Sequence, residues 1–364
     1  METDDQLGVF STRSAWCNNV LKDFPVCEPP SDSVSALEFT PKTAPFNGLC
    51  AASWDQTVRV WEVDSSSKTA TPKSLQKMSA PLLDASWNGD GNRIYASDCN
   101  GSVFEWNLDA NHVSQRKCHA AGVRACRWLW TPKTPLLMTA SWDKTVKFWD
   151  TRVPQSVVSI NLPERCFAAD VLYPLAVVGC AGQKILTYSV QNGFVEVCHD
   201  DPSKLSEQHL RQQLRAVAVL KGNNRPSGYV AVTTNGLMYV GNIPHISGIQ
   251  TSAGYKLECH RTYSLDGSSC DIYAVNDVRV HPIHGGIATV GSDRKFNFWN
   301  KDKGSNTFKS AFMDQAITKC AISSDGMLFA YALGYDWSMG HEHCDQSLKP
   351  QIFFHPCLED MRPK

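Results

Sequence analysis

The chain has 364 residues, and its 35 basic residues almost balance 36 acidic ones. That balance excludes a global field that would call for a nucleic acid or a membrane surface, so any such partner needs a local patch. The length fits two or three ordinary domains or one large all-β ring. Residues 1–5 are polar and acidic, unlike a secretory leader, and the longest apolar run, 171–181, is broken by Pro174 and too short to span a bilayer.

These features imply a soluble intracellular chain without membrane insertion. In that setting the 14 cysteines read as thiols rather than as a disulfide framework. No C-x-x-C pair occurs, which argues against structural zinc, and nothing in the sequence implies a metal or another cofactor.

Residues 1–22 lack periodicity and read as a flexible arm, leaving 23–364 for a single domain. Residues 24–27, ahead of Pro29 and Pro30, are the candidate for a strand that closes that domain on itself. From Val34 three short strands follow within about thirty residues, at 34–39, 48–53 and 57–61, separated by turn residues. The set returns at 83–87, 93–97 and 102–106, where Asn100-Gly101 predicts a type I′ hairpin. It returns again at 123–130, 136–141 and 145–149. Trp61, Trp106 and Trp149 close these copies at separations of 45 and 43 residues, the period of a four-stranded WD-repeat blade.

A fourth copy spans 166–190 with Tyr188 in the tryptophan's place. A fifth spans 214–243 and lacks the closing aromatic. A sixth runs through 272–280, 286–290 and 295–299, and a seventh through 317–333 with a late strand at 351–355. Seven copies predict an all-β, seven-bladed propeller of four-stranded antiparallel blades, closed by the N-terminal strand because an open stack would leave sheet edges exposed.

Within the third copy Ser141, Asp143 and Trp149 stand at positions 0, +2 and +8, with His119 ahead of the first strand; Ser53, Asp55 and Trp61 repeat this in the first copy. An Asp at such a turn can accept bonds from a loop histidine and from backbone N–H groups, so these residues, with Asp293 in the sixth copy, are read as a blade-fixing network. His119, Ser141 and Asp143 have the residue types of a catalytic triad. A set copied from blade to blade is architecture, however, and no catalytic residue is assigned. His281 with His284, and His341 with His343, lack metalloprotease spacing, and no phosphate-cradling glycine motif is present. Trp54 and Trp142 lie between the Ser and the Asp, on one rim, where they suit either packing between blades or a peptide hot spot. Lys204, Arg211, Arg215, Lys221 and Arg225 face only Glu207 in their segment; a solvated face accounts for most of them, but Arg215 opens a strand and belongs at the rim.

Several strings go beyond general repeat character: S-W-D-K-T-V-K-F-W-D-T-R ending at Arg152, L-P-E-R-C from Leu162, D-I-Y-A-V-N from Asp271, H-P-I-H-G from His281, A-T-V-G-S-D from Ala288 and Y-D-W-S-M-G-H-E from Tyr335. Together they resemble the WD-repeat messenger-RNA export factors of the nuclear pore, whose sister family is the spindle-checkpoint propeller. The last string favours the export branch. The resemblance implies a non-enzymatic, monomeric propeller that docks a GLEBS-type hairpin of an FG nucleoporin, helps messenger ribonucleoprotein leave the nucleus and shuttles to the cytoplasm. It also implies a role in spindle assembly.

By the same resemblance Arg215 and Trp54, with Trp142 beside them, form the peptide surface, and Trp299, Lys301, Lys303 and Arg261 form a surface for RNA or an acidic partner. An aromatic flanked by cations can stack a base and neutralise a phosphate. The chain departs from the family at Leu237 and Gly304, where the family carries arginines, at Glu258, where it carries a lysine, and at Asn300, where it carries an Asp. Lost basic groups imply a diverged paralogue with reduced or altered partner binding.

Overall fold

In the computed structural model, described over residues 23–191, 193–200, 212–222, 225–243, 254–264 and 266–362, the turn after the second strand of each repeat sets the local geometry. Gln56, Lys144, Arg294 and Trp337 hold positive φ angles of 71°, 66°, 62° and 62° there, and Gly101 and Gly236 take 91° and 66° at the matching places. An Asp one residue earlier holds this left-handed step in the first and third repeats. Asp55 Oδ1 accepts the Thr57 N–H at 2.9 Å and Asp143 Oδ1 accepts the Thr145 N–H at 3.0 Å. The Asn100-Gly101 turn is not type I′: only Gly101 has a positive φ. The reason is local, since Asp98 Oδ1 captures the Asn100 and Ser102 N–H groups at 3.0 and 2.6 Å.

The strands so connected form seven four-stranded antiparallel sheets in which the first three or four strands pair in chain order. The innermost strands are Val34–Phe39, Leu82–Trp87, Val123–Leu129, Cys166–Leu172, Leu214–Lys221, Val275–Val280 and Ile317–Ile322, and each packs against the innermost strands of its neighbours around a central channel. The outermost strands, such as Ser156–Asn161, alternate exposed with partly buried residues, whereas the second strands are almost wholly buried. This is the gradient expected when sheets stand radially and pack face to face. Ile272 belongs to a separate hairpin, Arg261–Tyr263 with Cys270–Ile272, so the sixth blade begins at Val275 rather than at 272. The fifth blade's missing aromatic is replaced from its own second strand: a side chain at Gly241 would meet the Tyr229 ring at 2.4 Å.

Carboxylates stitch neighbouring inner strands together. Asp84 of the second blade accepts the Cys126 N–H at 2.8 Å and Arg127 at 2.5 Å from the third. Asp170 of the fourth accepts the Val219 N–H of the fifth at 2.8 Å, and Asp277 of the sixth accepts the Cys320 N–H of the seventh at 3.2 Å. Each bond satisfies an N–H that the innermost strand, with no partner on its channel side, would otherwise leave bare.

The seventh sheet runs Ile317–Ile322, Leu328–Leu333, Gln351–Pro356 and then Phe24–Pro25, the last pair in register with Phe354 and Phe353. Phe24 stacks on Phe354 at 4.9 Å, and the Val26 N–H reaches the Ile352 carbonyl at 2.9 Å. His355 is clamped between Asp23 at 2.7 Å and Asp360 at 3.0 Å, while the Tyr331 hydroxyl donates to Asp23 at 2.7 Å. The arm expected at 1–22 lies outside the described residues. No described helix is long and apolar enough to cross a membrane, and the described cysteines are all free thiols.

Two outcomes follow from this clasp. Burial of Phe24 and Val26 is worth about 1.5–3 kcal/mol each, so deleting residues 1–32 should lower the melting temperature far more than deleting 1–20; equal values would refute closure as a stabilising element. Burial opposes the charged form of His355, but the bonds to Asp23 and Asp360 outweigh it and raise its pKa. A raised folded-state pKa adds stability that is complete below the histidine's unfolded value and is lost as pH rises through the folded one. The stability gap between the parent and His355→Gln should therefore shrink from pH 6 toward pH 9 in denaturant titrations.

Candidate functional site

The third blade shows what the repeated polar residues do. The Trp149 indole N–H donates to Thr139 Oγ1 at 2.8 Å, the Thr139 hydroxyl lies 2.8 Å from His119 Nε2, and His119 Nδ1 lies 3.0 Å from Asp143 Oδ2. Burial lowers the His119 pKa to about 4 against the pull of Asp143, so the ring is neutral near pH 7. A neutral ring bearing its proton on Nδ1 makes every donor point one way, from Trp to Thr to His to Asp. Burial works against the Asp143 carboxylate, yet bonds from Thr145, Ala120 and His119 hold its pKa below the usual range.

Thr139 is the member that the repeat pattern does not announce, since Ser141 two residues later is the one that recurs beside the Asp. Ser141 binds the turn instead: its hydroxyl donates to the Ala121 and Gly122 carbonyls at 3.0 and 2.9 Å and accepts the Asp143 N–H at 3.0 Å. Both His119 nitrogens are engaged by other residues, so no serine–histidine hydrogen bond of a catalytic triad forms here.

The sixth blade repeats the chain with Trp299, Thr289, His260 and Asp293, at 2.9, 2.9 and 2.7 Å. The first blade has no such histidine. Ser31 donates to Asp55 through its N–H at 2.9 Å, and Trp61 turns its indole N–H to the Cys27 carbonyl at 2.7 Å, so the same residue types tie down the entering chain.

Trp54, Trp142 and Arg215 come together at one mouth of the channel. They line a cavity of about 510 Å³ with Tyr335, Asp336 and Trp337, three residues of the seventh blade that sequence reading did not assign. Trp54 is 45% exposed and Trp337 55%, while Gly122 leaves room for the Trp142 ring, which would lie 2.6 Å from any Cβ there. Arg215 reaches the rim because its strand bulges between Leu214 and Ala216, which re-aims the extra residue. The same shift occurs around Ser35, Leu83, Arg124, Asn276 and Thr318, and all of these line the cavity. Arg215 donates to Asn276 Oδ1 at 3.0 Å; burial pulls its pKa down, partly offset by Asp336.

The residues assigned to an RNA or acidic partner are not gathered in this way. Trp299 is only 8% exposed, and its indole belongs to the sixth blade's bonded chain, so it offers an edge rather than a free stacking face. That edge and Arg261 share a cleft of about 150 Å³ with Lys295 and Lys309, but Lys301 and Lys303 lie at the turn beyond Asn300, outside it. Lys301 pairs with Asp302 at 2.6 Å and Arg261 with Glu258 at 3.0 Å. Among the described residues no three His, Cys, Asp or Glu side chains converge as a metal site would require.

Comparison with known proteins agrees with this geometry. The family model for the WD domain, G-beta repeat, matches residues 24–62 and 111–150. "Protein Rae1" of Drosophila melanogaster is 43% identical over 347 residues, covering 95% of this chain and 97% of that one. "mRNA export factor" of Danio rerio is 38% identical over 361 residues, with 98% and 95% covered, and that of Mus musculus is 38% identical over 360. Fold and turn networks thus define a WD-repeat propeller. Within that class, identity over nearly the whole length settles the narrower question: the chain belongs to the WD-repeat mRNA export factor family.

The bonded chain can be probed directly. Thr139→Val leaves the Trp149 donor and His119 Nε2 without partners in the core and should cost about 2–4 kcal/mol, whereas Ser141→Ala, at a turn beside backbone groups, should cost about 1 kcal/mol. Chemical denaturation of the two variants ranks them.

Proposed function

We propose that this chain is a non-catalytic docking propeller of messenger-RNA export, acting at the nuclear pore and shuttling to the cytoplasm. Its partner in this reading is a GLEBS-type hairpin of an FG nucleoporin, bound by a single copy of the chain. The observation that carries the reading is the meeting of Trp54, Trp142 and Arg215 at one channel mouth, from blades one, three and five. Exposed rings supply large apolar area at low entropic cost, and a desolvated guanidinium beside them suits a peptide carboxylate. The relatives' names support the export setting, and a spindle role is carried with it by family resemblance.

RNA contact is proposed as secondary, at the cleft of Arg261, Lys295, Lys309 and the Trp299 edge. Local pairing of Arg261 and Lys301 with acidic neighbours makes such binding weak and salt-sensitive.

In fluorescence polarisation with a labelled nucleoporin GLEBS hairpin, Trp54→Ala should weaken binding by about 30-fold, or about 2 kcal/mol, and Arg215→Ala by about tenfold or more. Unchanged affinity in both variants would place the peptide elsewhere. Tighter capture of a kinase-borne GLEBS peptide than of the nucleoporin one would move the chain to the spindle-checkpoint branch.

A further inference from the structure

Beneath the aromatic rim the channel mouth holds more cationic groups than the described residues neutralise. Arg124, Arg215 and Lys319 enter it from blades three, five and seven. Among the described residues Arg124 has no hydrogen bond or ion pair; burial is the main cause that lowers the pKa values of Arg215 and Lys319, and the charge of Arg124 adds to it, so like charges face one another. Arg215 Nε is buried with no partner. Lys319 is 13% exposed at its side chain and, among the described residues, has only Asp277, 3.8 Å away, as an ion-pair partner.

The neighbouring acids are engaged elsewhere. Asp277 bonds the Cys320 N–H and lies 3.6 Å from Arg279, and Asp84 holds Arg127; of the two acids that line the cavity, Asp336 accepts bonds from Ser292, Asn276 and Ser338, while the exposed Asp32 accepts the Ser33 N–H at 2.6 Å. Desolvated cations that repel one another, one of them with a buried unpaired donor, are stable in a cavity when an anion enters it. Asn276 and Thr318 add neutral polar groups to the same wall.

We infer that the channel mouth is a binding site for a doubly charged oxyanion, a phosphate group, held among Arg124, Arg215 and Lys319. The three cations outnumber the two acids that line the cavity, and three separate donor groups are more than the two oxygens of one carboxylate engage, whereas a phosphate offers further acceptor oxygens and charge. The group is either free phosphate or a phosphorylated side chain entering from the rim. The site stands on its own observations and does not need the nucleoporin reading.

The test is titration calorimetry of the full chain with inorganic phosphate and, separately, with an acetylated Ala-phosphoserine-Ala amide, against sodium chloride at equal ionic strength. Saturable binding of phosphate is expected, weakened at least tenfold by Arg124→Gln and by Lys319→Gln and unchanged by Lys77→Gln, which removes an exposed charge from an outer strand. Tighter binding of the phosphopeptide than of phosphate assigns the site to a modified partner; the reverse assigns it to a free anion. Arg124→Gln should also raise the melting temperature in anion-free buffer, because it relieves repulsion. Heats no larger than those of chloride, or equal affinity in all three variants, would overturn the site. Because no hairpin peptide is used, failure here leaves the nucleoporin reading to its own experiment.

Discussion

A ring of sheets has no free edge only if its two ends meet, and here they meet through two residues, Phe24 and Pro25, paired on Phe354 and Phe353. Everything else depends on that closure. With it, every blade packs against a blade on either side, and the inner strands exchange carboxylate-to-N–H bonds across three of the blade boundaries. Without it, the first and seventh blades would each expose an apolar face, and the cluster joining Phe24, Leu37, Trp61 and Phe354 would open to water. The bonds from Trp61 to Cys27 and from Ser31 to Asp55 show the same logic one step later, fastening the entering chain to the first blade.

The blade count, strand order and closure were legible because they rest on repetition: a strand period of two, turn residues, and a tryptophan every forty-odd residues. The misreadings were local. Ile272 reads like the start of a blade strand because an apolar residue near a blade's start fits either element, and only pairing with Arg261 places it in the hairpin. Asn100-Gly101 reads as type I′ until the Asp98 carboxylate is seen to hold the turn. Thr139 was overlooked because a threonine in mid-strand is an ordinary β residue; its role appears only when the register puts Thr139 opposite Lys147 with His119 overhead.

The lining of the candidate site was legible in halves. Trp54 and Trp142 could be found because they repeat, and Arg215 because of its place at the head of a strand. Trp337 and Arg124 could not. Trp337 sits in a seventh-blade turn that keeps the positive φ of the others but carries Gly334 where the first and third blades have Ser53 and Ser141, and Arg124 gains access to the channel mouth from a one-residue bulge. A bulge reverses which face a side chain takes, so strict alternation misplaces the residues that matter at the rim.

Leu237, Asn300, Gly304 and Glu258 can be placed by the same reasoning. Leu237 is 6% exposed within the core shared by the fourth and fifth blades, where it serves apolar packing. Asn300 keeps a turn-holding function, its side-chain oxygen accepting the Asp302 and Lys303 N–H groups at 2.9 and 3.1 Å. Gly304 takes a φ of 61° beside Leu257, a backbone position that any other residue would strain. Glu258 neutralises Arg261. Each of these residues serves packing, a turn or a local ion pair. At the channel mouth the opposite holds: Arg124, Arg215 and Lys319 stay close and poorly paired at an electrostatic cost that the fold does not need. That contrast is the physical ground for proposing the mouth of the ring as the binding surface.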